Sequence, residues 1–332
     1  MQASREFMKP LLRVYFILPI LLFFQPAEAQ EGIPVYYDYL TDNLTLLHPA
    51  LAGASRCGKA RLTGRMQWSG VKDFPMLQTL SINSHLGKRS GFGMVLYNDR
   101  NGYHHRKGME FSFAHHLQLS QGAAFNQLSF GITALYSLNN IDYSEFDTST
   151  GDPVLNRITG TGNYYNVHVG MAWHVQHFFI ILTAKNLLNI PRPLYSETLE
   201  NSNLRHYLVH TGYFFGKRQG FHFEPSLLVQ YREFSGDLIG DANAKFYYDL
   251  PNGGAFFAGV SYRNYFESAA TQSLQDITPL AGVFWGRWMI AYVYTHQLSE
   301  TTFSQGGFHQ ITLGVNFDCR ERVAHYPCPH LN

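Results

Sequence analysis

Arg61-Leu62-Thr63-Gly64-Arg65-Met66-Gln67-Trp68 is the stretch that decides the fold. Leu62, Met66 and Trp68 share one face of a two-residue repeat; Arg61, Thr63, Arg65 and Gln67 share the other. Period two marks a strand with different surroundings on its two sides. Two arginines and a glutamine on one face call for a wet interior, because an apolar sandwich core would leave them unpaired.

The pattern repeats along the chain. Residues 76–86 set Leu80, Ile82 and Leu86 against Thr79, Ser81, Asn83 and His85. Residues 109–118 set Met109, Phe111, Phe113 and Leu117 against Glu110, Ser112, His116 and Gln118. Residues 127–137 and 165–175 alternate in the same way, and Gly91-Phe92-Gly93 opens a shorter Gly-rich strand. Further segments near 178–188, 204–216, 221–231, 237–248, 255–263, 277–285, 287–296 and 307–317 bring the count to about fourteen. Each is roughly 9–12 residues long, which a tilted membrane strand requires. The segment 178–182 is the poorest fit, being continuously apolar.

The connections alternate as well. Links at 70–75, 99–107, 139–162, 189–203, 232–236, 264–275 and 297–306 are mostly long and polar. Those at 87–90, 119–125, 176–177, 217–220, 249–254 and 286 are short. An up-and-down outer-membrane barrel has short periplasmic turns and longer external loops, whereas a sandwich gives no reason for such an alternation. The expected fold is therefore an all-β transmembrane antiparallel up-and-down β-barrel of about fourteen strands, with twelve as the rival count. An even number places both ends in the periplasm.

The N-terminus agrees with export. Arg5, Lys9 and Arg13 precede the apolar run Val14–Phe24, which ends in Ala27-Glu28-Ala29. That run is too short to span a bilayer and carries a small-x-small cleavage pattern, so residues 1–29 read as a signal peptide cut between Ala29 and Gln30. The expected layout is then a periplasmic N-terminal segment at 30–59, the barrel at 60–317 and a periplasmic tail at 318–332. Composition fits: charged residues make up 15% of the chain, against about 25% in soluble domains. Aromatics are abundant, and Trp68, Tyr97, Trp173, Trp285 and Trp288 are candidates for girdles at the headgroup level. A net charge of +1 gives no reason to expect nucleic acid. Of the cysteines, Cys319 and Cys328 lie close together in the tail and form the disulfide candidate, with Cys57 left over.

Chemistry-bearing patterns are missing. No zinc-protease helix motif, nucleophile elbow or phosphate-binding loop occurs, so neither a catalytic residue nor a cofactor is expected. His115 and His116 point to opposite faces of a strand; His206 and His210 share a face but lie two strand steps apart. These histidines read as lumen or loop polar groups, and no metal site is expected.

Several segments, taken in order, resemble the PorP/SprF family. An aromatic stretch, Tyr36-Tyr37-Asp38-Tyr39-Leu40, leads to His48-Pro49-Ala50-Leu51-Ala52-Gly53, which is similar to the family's Asn-Pro-Ala-Tyr-Ala-Gly motif. Arg65-Met66-Gln67-Trp68 matches its Arg-x-Gln-Trp element, and Pro75 follows before the second strand. Gly91-Phe92-Gly93, the strand around Pro225-Ser226, Gly259-Val260-Ser261-Tyr262-Arg263, Gly307-Phe308-His309-Gln310-Ile311 and Cys328-Pro329 continue the series. The chain departs at His48, where Asn is usual, and at Leu51, where Tyr is usual. The resemblance implies a non-enzymatic outer-membrane component of type IX secretion. Its expected partners are periplasmic and lipoprotein components of that machinery and a secreted or surface cargo, such as a gliding adhesin. The motif residues His48, Pro49, Ala52, Gly53, Arg65, Gln67, Trp68, Pro225 and Ser226 are then candidates for partner contact or fold. The segments 30–59 and 318–332 would be free to meet periplasmic partners, and the loops 139–162 and 189–203 to meet cargo. The rival function is a channel or ligand transporter, porin-like or plugged, with Arg61, Arg65, Glu110, Glu224, Asp237, Asp241 and Lys245 lining the lumen.

Overall fold

The computed structural model describes residues 37–67, 74–120, 125–141, 160–190, 203–216, 220–251, 253–266, 275–298 and 307–320. The signal region, Trp68, Cys328 and the middles of several loops, including 142–159 and 191–202, lie outside the described residues.

Fourteen antiparallel strands form one sheet that closes on itself. In chain order they are β1 (Gly58–Gln67), β2 (Met76–Leu86), β3 (Ser90–Asn101), β4 (His104–Gln118), β5 (Asn126–Ile141), β6 (Thr161–Val175) and β7 (Phe178–Lys185). Then come β8 (His206–Tyr213, resumed at Phe215–Gly216 after a break at Phe214), β9 (Phe221–Arg232), β10 (Leu238–Asp249) and β11 (Ala255–Phe266). The last three are β12 (Gln275–Trp285), β13 (Trp288–Gln297) and β14 (Phe308–Phe317). Every strand pairs with its sequence neighbours, and β14 pairs back onto β1 from Gly58↔Phe317 to Gln67↔Phe308. Closure removes both sheet edges, so each strand's backbone polar groups face a neighbouring strand. No helix among the described residues is long and apolar enough to cross a membrane; in a barrel the strands cross.

The alternation read from the sequence is the alternation of the two faces. On β1, Lys59, Arg61, Thr63 and Arg65 are buried in the lumen, while Leu62 and Met66 are exposed outward. On β4, His116 is buried and His115 faces out. The outward surface carries Phe111, Phe113, Ile132, Tyr165, Ile290 and Leu313, the apolar band a bilayer needs.

β1 begins and β14 ends at one rim, called here the terminal rim. Its turns are short, and one of the two-residue turns joins β12 to β13 through Gly286-Arg287, where Gly286 takes a left-handed φ of 59° that lets Trp285 pair with Trp288. The longer links lie at the opposite, loop rim. One of them is shorter than expected: β3 and β4 continue past 99–107 to a tight turn at Gly102-Tyr103. Asp99 faces Arg106 across that extension, and opposite charges in register favour continued pairing.

Three further expectations are corrected. Tyr97 is not a girdle residue; it is 6% exposed and packs inside the loop half of the lumen with Leu77, Leu135, Tyr164 and Leu204. Asp237 does not line the lumen; it lies in the β9–β10 link, where Ser235 donates to it at 2.6 Å and Arg232 at 3.4 Å. Cys319 bonds to Cys57, not to Cys328. The 262 residues separating them close to a Cα distance of 4.0 Å because β1 and β14 are neighbours at the seam. A crosslink across so long a loop stabilises by roughly 2–5 kcal/mol.

Candidate functional site: a plug in the lumen

Of the segment 30–59 expected to lie free in the periplasm, residues 37–54 are inside the barrel. Residues 37–54 form three single turns of 3-10 helix, Tyr37–Thr41, Leu44–Leu46 and Pro49–Leu51, that cross the lumen from wall to wall. Among the plug residues Leu40, Leu44, Leu46, Leu47 and Leu51 are all buried, and so are Tyr39, His48, Ala50 and Ala52.

Two kinds of wall receive it. On the β7–β13 side the wall presents an apolar patch among polar groups: Phe179, Ile181, Leu208, Leu228, Phe257, Leu280, Met289 and Val293 form one core with Tyr39, Leu40, Leu44, Leu47, Ala50 and Leu51. This explains the unbroken apolar run at 178–182, whose Phe179 and Ile181 face the plug instead of water. Each fully buried leucine contributes about 1.5–3 kcal/mol. The lumen thus combines polar groups with a dry patch under the plug, and it is this patch that the alternation alone does not describe.

On the β3–β6 side the wall is hollowed by missing side chains. Gly131 of β5 lies directly opposite Gly170 of β6 in the ladder, and the Pro49-Ala50 backbone rests in the trough they make. A Cβ on Gly131 would overlap the Pro49 carbonyl and the Ala50 nitrogen, and one on Gly170 would come within 3.3–3.4 Å of Pro49 Cδ and Ala50 N. A Cβ on Gly91 of β3 would likewise overlap the backbone of Ala52 and Gly53. Gly53 has a φ of 64°, a left-handed turn that returns the chain towards β1.

Polar contacts fix the register of the plug against six strands. Tyr39 donates its hydroxyl to Asp241 Oδ2 at 2.8 Å, and Asp241 is gripped by Arg263 through Nε at 2.5 Å and Nη2 at 2.6 Å. Thr41 reaches Thr312 Oγ1 at 3.4 Å, and Asn43 Nδ2 donates to Ser81 Oγ at 2.8 Å. Asp42 accepts from Lys59 at 2.9 Å and lies 3.6 Å from Arg61 Nη2, so those lumen cations meet a plug carboxylate. Lys185 Nζ donates to the Leu46 carbonyl at 2.9 Å, and His116 Nε2 donates to the Ala52 carbonyl at 3.1 Å. Charged and neutral donors thereby satisfy plug carbonyls that a helix this short leaves open.

His48 sits at the centre. Its Nδ1 and Thr183 Oγ1 share a hydrogen bond of 2.9 Å, and its ring stacks on His210 at 5.4 Å between centroids. Burial holds its pKa well below the usual 6.5, with His210 and Lys185 acting in the same direction. Its Nε2 has no hydrogen-bond partner among the described residues, so an added proton there would find no acceptor among them. The folded state therefore binds this proton less readily than the undocked segment, and plug stability present above about pH 6.5 is lost as the pH falls below it. Protection factors of plug amides, taken relative to intrinsic exchange at each pH, should fall on acidification below about pH 6.5. In His48→Asn, which keeps a group able to bond Thr183, that fall should be reduced; an unchanged acid response would assign it to other groups.

The remaining motif residues are placed apart from this centre. Pro49, Ala52 and Gly53 belong to the plug, and Arg65 lies far up β1 with its guanidinium 5.8 Å from the Phe308 ring centre. Gln67 ends β1, where its backbone N–H donates to the Pro75 carbonyl at 3.0 Å. Ser226 is buried on the lumen face of β9 and accepts from Asn243 at 3.3 Å; Pro225 turns to the outer face. Sequence reasoning missed Tyr39, Asp42 and the wall glycines. The available signal was five leucines between Leu40 and Leu51, too many for a segment lying free in water. No group of three or more metal-ligating side chains is arranged to hold a metal among the described residues.

The loop half of the lumen is narrowed separately. The start and end of the β7–β8 link fold inward: Asn166 bonds both the amide and the carbonyl of Leu188, Asn186 Nδ2 donates to the Leu204 carbonyl at 3.0 Å, and Leu204 is buried.

No curated protein matches the chain. Among solved structures the chain is similar to a CymD monoaromatic hydrocarbon channel, at 10% identity over 87% of this chain and 94% of that one, with a TM-score of 0.48. It is also similar to CdiB from Acinetobacter baumannii, at 5% identity over 78% of this chain and 60% of that one, with a TM-score of 0.42. The family model for the type IX secretion system membrane protein PorP/SprF matches residues 28–315, from ahead of the plug into the last strand. This chain, an outer-membrane β-barrel with its own N-terminal segment folded into the lumen, belongs to the PorP/SprF family.

Proposed function

We propose that the protein is a non-enzymatic component of the type IX machinery that supports export or surface attachment of other proteins, gliding adhesins among them in motile species. The observation that carries this reading is the family match across plug and barrel together. The filled lumen supports it, since a barrel packed with its own chain is built to hold partners at its rims and not to pass solutes. The terminal rim, with its short turns, is inferred to face the periplasm and the loop rim the exterior. Export follows cleavage after Ala29, leaving Gln30 as the mature N-terminus.

On this orientation the long β5–β6 link is presented outside the cell and is the first candidate for cargo contact. Deleting 142–159 should abolish cargo display on whole cells while the barrel still inserts and keeps its heat-modifiable mobility. Display at the full level would remove the loop from the account. A pull-down from detergent-solubilised outer membranes should recover periplasmic and lipoprotein components of the machinery. Their absence, together with single-channel currents from the intact protein, would favour the channel reading.

A further inference from the structure

Among the described residues, the terminal rim near the β14–β1 seam is strongly cationic. Arg56 at the neck of the plug, Lys88 and Arg89 in the β2–β3 turn, Arg287 in the β12–β13 turn and Arg320 after β14 lie along one arc centred on the β14–β1 seam. Asp318 is the carboxylate at this arc among the described residues, and its Oδ2 lies 3.2 Å from His85 Nε2. The chain holds the cations together firmly. Arg56 Nε donates to the Arg320 carbonyl at 2.6 Å, the Arg320 amide donates back to the Arg56 carbonyl at 3.2 Å, and the Arg320 guanidinium donates to the Gly87 carbonyl beside Lys88. The Cys57–Cys319 bond locks the same two segments. Like charges fixed this closely repel, and the patch gains most from an anion supplied from outside.

Two sources of anion could meet a membrane protein here, and the positions separate them. Arg287 lies between Trp285 and Trp288, which are 82% and 69% exposed and mark the headgroup level. Lipid phosphates can reach that guanidinium. Arg56 instead adjoins the buried Ser55 and Cys57 at the base of the plug, beneath the lumen mouth and away from the lipid-facing girth. An anion bridging the whole arc must extend from the rim to under the mouth, which suits a chain of carboxylates and not a headgroup.

We propose that this arc docks an acidic segment of a periplasmic protein. The proposal rests on the orientation inferred above, but not on which cargo is served. It is tested in living cells with a photo-crosslinking amino acid at position 88, followed by mass spectrometry of the adducts. The expected result is a protein adduct whose crosslinked peptide is rich in Asp and Glu. In an Arg89→Glu/Arg287→Glu background the adduct yield should fall about tenfold or more, since charge reversal at a steered contact both slows and weakens association. Unchanged heat-modifiable mobility would show that this variant still folds. Adducts with lipid alone, no protein adduct, a crosslinked peptide without acidic residues, or a yield indifferent to charge reversal would each overturn the proposal. An acidic partner from outside the secretion machinery would uphold the docking surface while counting against the secretion reading, so the two can fail separately.

Discussion

Replacing Gly131 with valine is expected to expel the third turn of the plug from the wall. The groove at this point is made by two glycines facing each other across β5 and β6, and what lies in it is backbone. A flexible side chain can move aside from an added methyl group; the Pro49-Ala50 peptide cannot, because Pro49 fixes its own φ and His48 beside it is tied to Thr183. Overpacking costs about 1–3 kcal/mol in ordinary cores, and a rigid obstacle places this site at the upper end of that range. The undocked population of residues 44–54 should rise about ten- to hundredfold, read as lost amide protection by hydrogen exchange. Gly64→Ala is the control, because a Cβ there meets nothing within 4 Å. Protection of the plug unchanged in Gly131→Val would mean that the trough is not what seats it.

Asp241→Ala is expected to give the largest loss of stability. Asp241 is fully buried, accepts two hydrogen bonds from Arg263 and a third from Tyr39, and so joins the first plug turn to β10 and β11. Truncation takes the bidentate carboxylate from a guanidinium that is only 4% exposed. Removing one member of a buried pair typically costs about 3–5 kcal/mol, much of it the cost of the charge left behind. Asp241→Asn should cost less, since its amide oxygen can still accept from Tyr39. At the loop rim, Arg205 and Glu233 are also 2.9 Å apart, but about a third of each side chain is exposed. Glu233→Ala should therefore cost under about 1 kcal/mol. Urea unfolding of the refolded barrel would rank the three, and equal losses at positions 241 and 233 would contradict the buried-triad account.

The barrel was legible because its two faces meet different solvents. Leu62 and Met66 against Arg61 and Arg65 is a contrast that a single strand carries in its own sequence. The link lengths then supplied closure without any long-range information. The plug was not legible in the same way. Its leucines were visible, yet what they pack on is spread over β7 to β13, and no local pattern announces that one wall of a lumen carries an apolar patch. The continuous run at 178–182, a poor fit to alternation, was the trace of that patch. Gly91-Phe92-Gly93 was noticed as a motif, but its use emerges only when Ala52 and Gly53 are found against Gly91. Cys57 and Cys319 flank the barrel at its two ends, so proximity along the chain favoured the wrong pair. His48, where the resemblance led us to expect Asn, is fully buried in the plug and shares a hydrogen bond with Thr183, a contact that no local pattern announced.

A lumen closed by the protein's own N-terminal segment is the centre of this account, because it separates a barrel that holds partners from one that conducts. Planar-bilayer recording of the intact protein beside a variant lacking residues 37–54 tests it most directly. The intact barrel should show little or no ion current, and the deleted variant should open steady channels through the vacated lumen. Steady conductance from the intact protein, unchanged by the deletion, would contradict it.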